Sequence, residues 1–143
     1  MTLTDNQAMA QVVEAARQIV RAARLRDVTG GFLFESCNDQ GSPPYRGRVD
    51  LSFAIPEGVE PEEHFKQIAA VMVRKGWHEG PPAGKCPFGD AVHTEAVMAV
   101  ICRASASTSR GCVQVVGECA NMTDHRHDGK TVGVEISDQL NGS

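Results

Sequence analysis

Five cysteines and five histidines are the side chains of this 143-residue sequence with the means for covalent or metal chemistry. His125 and His127 stand in the run DHRHD, where two imidazoles two residues apart share one side of an extended segment. Asp124 or Asp128 can add oxygen ligands, so a metal site completed by a cysteine is one reading. The spacing matches no recognised zinc pattern, and a polar turn after a strand is an ordinary place for the same residues. In that second reading Asp124 and His125 pair with nearby arginines and simply fix the loop. Cys86 with His93 or His125 is the one arrangement suited to nucleophilic catalysis, and Lys85 is its only neighbour that favours a thiolate. A lone or buried thiol is the plainer account. The remaining histidines, His64 and His78, join no pattern. The sequence contains no GxSxG, no HExxH and no phosphate-binding glycine loop, and it calls for no cofactor.

The cysteines point to structure more than to catalysis. None forms a CxxC pair, so a zinc ribbon or a thioredoxin-like redox centre is poorly supported. Disulfides are the better reading and imply an oxidising compartment, with one thiol left over and several pairings open. The stretch from Thr94 to Met122 reads as a β-hairpin. With its loop, serine-rich from Ser105 to Ser109, centred on Ser107, Ile101 lies opposite Val113, Ala99 opposite Val115 and Val97 opposite Gly117, which gives one apolar face. The same register sets Cys102 opposite Cys112 on the other face, with Cβ atoms about 4.5–5.5 Å apart, near enough to bridge after local adjustment. The alternative is two small apolar side chains that never bond. Cys119 lies on the inferred core face, and Cys37 in ESCND is a plausible partner if the two strand ends are neighbours. Cys86 is then the unpaired thiol.

The elements that must position these residues follow from periodicity. From Thr4 to Leu25, apolar residues at Met9, Val12, Val13, Ala16, Ile19, Val20 and Ala23 have helical spacing, with Thr4 or Asp5 as cap. Arg17, Arg21, Arg24 and Arg26 gather on its polar side, an anion-binding face or, more plainly, a solvated one. Val28 to Cys37 reads as a strand with Phe32 and Phe34 on one side. Arg46 to Ile55 alternates cleanly, with Val49, Leu51, Phe53 and Ile55 on one face and Arg48, Asp50, Ser52 and Ala54 on the other. Pro61 to Lys75 is a second amphipathic helix ending at Gly76, and Trp77 reads as a core-edge plug. Gly80 to Asp90 is a loop by its prolines and glycines. Val132, Val134 and Ile136 alternate as a possible fifth strand.

The order αββαββ predicts an α+β, two-layer sandwich, a mainly antiparallel sheet with two helices on one face. One domain over 1–143 is expected, frayed at 1–4 and 138–143. The 41% hydrophobic content excludes a disordered chain. A net charge of −4 offers no electrostatic footprint for nucleic acid or an anionic membrane. The N-terminal MTLTDNQAMAQ has neither a basic nor an apolar leader segment, so a lipid anchor is expected to be absent from this chain.

The phrases RLRDVTGGF, SCNDQGSPPYRGRVDLSF, RKGW and GECANMTDHRHD together resemble a group of small actinobacterial, chiefly mycobacterial, lipoproteins. The resemblance runs from about Ala16 to Leu140. It implies export, attachment of a precursor to the cell envelope, and a disulfide between Cys37 and Cys119, and it brings no activity and no catalytic residues. The expectation is therefore a non-enzymatic, extracytoplasmic envelope domain that binds a protein or small ligand through the sheet face away from the helices or the loops at Asn38–Tyr45 and Met122–Lys130. Tyr45, Arg46 and Arg126 are its candidate contact residues. The alternative is a metal- or thiol-dependent enzyme using His125, His127 and Cys86, and a lesser option is a cytosolic regulatory domain with buried thiols.

Overall fold

The computed structural model describes residues 2–81, 89–103 and 109–141. Helix α1, Asp5–Ala22, starts with a capping box: the Thr4 side chain accepts from the Gln7 N–H while the Gln7 side chain accepts from the Thr4 N–H. Its buried stripe is Ala8, Val12, Val13, Ala15, Ala16, Ile19 and Val20, the face the periodicity selects. Strands β1, Arg26–Ser36, and β2, Tyr45–Ala54, form an antiparallel pair with Phe32 opposite Val49 and Phe34 opposite Gly47. Helix α2, Pro61–Arg74, is capped by the Glu60 carboxylate, which accepts from the Glu63 N–H, and buries Phe65, Ile68 and Met72. It closes at Gly76, whose φ of +104° suits a residue without Cβ.

The rest of the chain supplies β3, His78–Glu79, β4, Asp90–His93, β5, Met98–Arg103, β6, Arg110–Val116, β7, Val134–Glu135, and the short α3, Ser137–Leu140. The strands make one antiparallel sheet in the order β3-β4-β5-β6-β2-β1-β7. The fold is thus α+β as expected, with the β5/β6 pair in the expected register: Ile101 opposite Val113, Ala99 opposite Val115, Cys102 opposite Cys112. Two strands lay beyond the sequence reading. β3 is two exposed residues and β4 is four, too short for an alternation to register. The C-terminal stretch, expected to fray from 138, instead folds into α3 and buries Leu140 completely beside Gly30.

All three helices press on one sheet face, and glycines set how closely. A Cβ on Gly47 would lie 2.5 Å from the Ala8 carbonyl oxygen of α1; one on Gly111, opposite Phe53, would lie 2.8 Å from the Phe65 ring of α2. A Cβ on Gly30 would collide with Leu140 of α3 at 2.6 Å. Between the layers lie Val49, Leu51, Phe53, Val113, Val115, Ala99, Ile101 and Phe32. Trp77 plugs the end of this core, 5% exposed, with its indole N–H donating to the Gln18 side-chain oxygen at 3.4 Å.

Candidate functional site

At the end of the sheet where β1 gives way to β2, the loop 37–44 meets the segment 117–130. Cys37 and Cys119 are joined there by a disulfide across a Cα separation of 6.2 Å, closing 82 residues of sequence. Asn121 bridges two strands at once: its backbone exchanges hydrogen bonds with Tyr45, and the Leu3 N–H donates to the Ala120 carbonyl at 2.8 Å.

Behind the disulfide sits His125, fully buried. Its ring stacks on Phe34 at 4.0 Å and meets the edge of Tyr45 at 5.0 Å. Nδ1 lies 2.5 Å from Asp128 Oδ2, and Nε2 lies 2.9 Å from Asn121 Oδ1 and 3.3 Å from Asp5 Oδ1. The Asn121 amide nitrogen donates to the Leu3 carbonyl at 3.1 Å and to Asp5 Oδ1 at 2.9 Å, which fixes the amide with its oxygen toward the ring. Both imidazole nitrogens therefore face oxygen partners, so the ring is held from both sides. Burial opposes the charge of Asp5, but hydrogen bonds from Asn121 and Thr123, the neighbouring His125 and Lys130 outweigh it and hold the carboxyl below its ordinary value. Asp128 is held down in the same way, by the Lys130 backbone N–H and His125 against a burial penalty.

This closed network removes His125 from the proposed chemistry. Both ring nitrogens are already engaged by Asp128, Asn121 and Asp5, and His127 is exposed. Among the described residues no three histidine, cysteine, aspartate or glutamate groups are grouped to hold a metal. Cys86 lies outside the described residues, and His93, named as its base, has Nδ1 tied to the Gly80 carbonyl at 2.8 Å.

Tyr45 is a correction. Expected at a turn as a contact residue, it is fully buried, because it opens β2 on the core-facing alternation it shares with Gly47 and Val49, and its hydroxyl donates to the Gly41 carbonyl. Arg126 is exposed as expected, but its guanidinium is clamped on Asp124, with Nε 3.0 Å from both carboxylate oxygens. That guanidinium holds the Asp124 carboxyl down to about 2.

Arg46 belongs to the other side of the sheet. Glu35 accepts from Arg46 Nε at 2.7 Å and from Arg48 Nη1 at 2.5 Å, and Arg48 Nε reaches Asp50 at 3.0 and 3.1 Å. The array is half-buried; burial pushes the Glu35 carboxyl up, and Arg48 and Arg46 more than reverse it. On the same face, Cys112 on the neighbouring β6 and Cys102 on β5 beyond it stand as thiols with sulfurs 3.3 Å apart. Burial and then the neighbouring Cys102 push the Cys112 thiol up to about 12. The sequence reading missed Glu35 and Asn121. Glu35 had a signal, a charge facing Arg46 and Arg48 across a strand pair; Asn121 had none, because its partners are remote in sequence.

A family model described as "Putative lipoprotein LppJ" matches residues 4–139. Proteins of that description from Mycobacterium tuberculosis strains CDC 1551 and H37Rv and from Mycobacterium bovis AF2122/97 are each 46% identical over 132 residues, 92% of this chain and 69% of theirs. No solved structure matches the chain. Among the described residues no helix is long and apolar enough to cross a membrane. From residue 4 to residue 139, through the capped first helix, the disulfide and the buried histidine, the chain belongs to the LppJ family of putative lipoproteins.

Proposed function

We propose that this chain is an exported, envelope-associated domain that binds rather than catalyses, and that the sheet face opposite the helices is where it meets an envelope protein or small ligand. The observation carrying this reading is the Glu35, Arg46, Arg48, Asp50 array, four charged side chains held in fixed geometry on two rigid strands. All three helices pack against the opposite face, so none of them covers this one. Charged groups already ordered by one another lose little freedom when a partner docks. The Cys37–Cys119 disulfide supports an oxidising compartment, and the lipoprotein relatives support the envelope. The net charge of −4 speaks against nucleic acid.

A photocrosslinking residue placed at Gln114, on the array's face, is expected to give discrete adducts in the envelope fraction of a mycobacterial host. The same residue at Gln67, exposed on α2, should give none. Adducts from Gln67 alone, or none from Gln114, overturn the assignment of this face.

In that compartment Cys102 and Cys112 close to a bridge. The two thiols give up two protons and two electrons to a protein disulfide, which leaves as a dithiol. Alkylation of native protein without reduction should then label a single thiol of the five cysteines. Labelling of three would leave the pair reduced and this step wrong.

A further inference from the structure

The C-terminal half of α1 and the C-cap of α2 line an open groove of about 610 Å³, formed by Glu14, Arg17, Gln18, Arg21, Ala22 and Lys75. Arg17 and Arg21 are one turn apart on α1, so they present to the same side, and Lys75 is the C-cap of α2 across the gap. The paired cations of the described residues are Arg46, Arg48, Arg103, Arg126 and Lys130, all elsewhere; the three in the groove make no ion pair among the described residues. The Nε of Arg17, like that of Arg103, is buried and has no partner among the described residues. The Gln18 oxygen is taken by the Trp77 indole N–H, which leaves the amide nitrogen, a donor, as its free end.

The groove therefore presents donors from four side chains, three of them cationic, and one carboxylate, Glu14. That excess is local, since the chain as a whole carries −4. Opposition to the helix dipoles accounts for Arg21 and Lys75, which sit in or just beyond the last turns. It does not account for Arg17, a turn further back.

We infer that this groove binds a phosphoryl group, as a phospholipid headgroup or as free phosphate. Two guanidiniums offer planar paired donors that match phosphate oxygens, and Lys75 adds a point charge. The inference goes beyond the sheet-face reading and uses the opposite layer. A headgroup held here would set the helix layer against the membrane and leave the charged sheet face turned away from it.

The test uses the full chain at low salt. Amide shifts are followed by NMR during titration with inorganic phosphate and with pyrophosphate, and co-sedimentation is measured with phosphatidylglycerol/phosphatidylcholine vesicles and with phosphatidylcholine alone. Saturable shifts confined to residues near 14–22 and 75 identify free phosphate as a source; binding only to the anionic vesicles identifies the headgroup. The double substitution Arg17→Gln with Arg21→Gln is expected to weaken whichever binding is seen by at least about tenfold, while Arg103→Gln with Arg126→Gln, the same change in charge elsewhere, stays within about twofold. Lys75→Gln, at an exposed position, carries the test if the double variant melts early. No binding to either probe, or equal loss in both double variants, overturns the site.

Discussion

His125 shows how a residue type associated with catalysis is turned into structure by its surroundings. Its two nitrogens are held by Asp128, Asn121 and Asp5, and its faces by Phe34 and Tyr45. Asn121 is the hub, since it orients the ring, Asp5 and the Leu3 carbonyl together. Asn121→Ala leaves each of those groups short of a partner and is expected to cost about 2–4 kcal/mol, read by urea unfolding at pH 7. Asp5 and Asp128 are both held below the ordinary carboxylate range. Their contribution is accordingly complete above the unfolded carboxylate value near about 4 and is lost as the pH falls through it toward the folded values. Asp5→Asn should lower stability at neutral pH and flatten the decline between about pH 5 and pH 2. An unchanged acid profile would show that Asp5 does not carry the dependence.

Elements were legible where one face repeats. The β2 alternation, the α1 stripe and the β5/β6 register all come from burial of a single side, which fixes periodicity in the sequence. The two-residue β3, the four-residue β4 and the four-residue α3 are too short to leave a period, and they exist because longer neighbours supply their partners. The same distinction applies at the site. The facing of Cys102 and Cys112 was readable, being local to a hairpin, whereas DHRHD reads as a wholly polar run and conceals a buried imidazole. Tyr45 was misplaced because the prolines before it mark a turn while its own alternation already belongs to β2. A close approach to the α1 backbone is the least forgiving: Gly47→Ala drives a methyl into the Ala8 carbonyl oxygen and the Val12 side chain and is expected to cost about 1–3 kcal/mol. Gly133→Ala, with nothing within 4 Å, should change stability by less than about 0.5 kcal/mol in the same thermal melts.

For the whole molecule, the Cys37–Cys119 bridge ties the start of the β1–β2 turn to the segment that leaves β6. A closed loop of this length restricts the unfolded chain by about 4–5 kcal/mol in the entropy account. Replacing both cysteines by serine is expected to lower unfolding free energy by about 2–5 kcal/mol, with early hydrogen exchange in 37–45 and 117–130. The His125 network holds the same end independently, so the variant should still fold. Equal stability with and without the bridge would assign that end wholly to the buried network.

The clasp at Leu3 has a mechanical side. A pull on the backbone ahead of Leu3 runs along the parallel bridge to Asn121, and the Leu3 N–H to Ala120 and Asn121 Nδ2 to Leu3 bonds lie side by side across that direction. They are loaded together, in shear, and cannot unzip one at a time. Two residues before Asn121, Cys119 hands the tension through a covalent bond to the end of β1 in the sheet. A domain tethered from that side would take up load at its sheet before α1 begins to unravel.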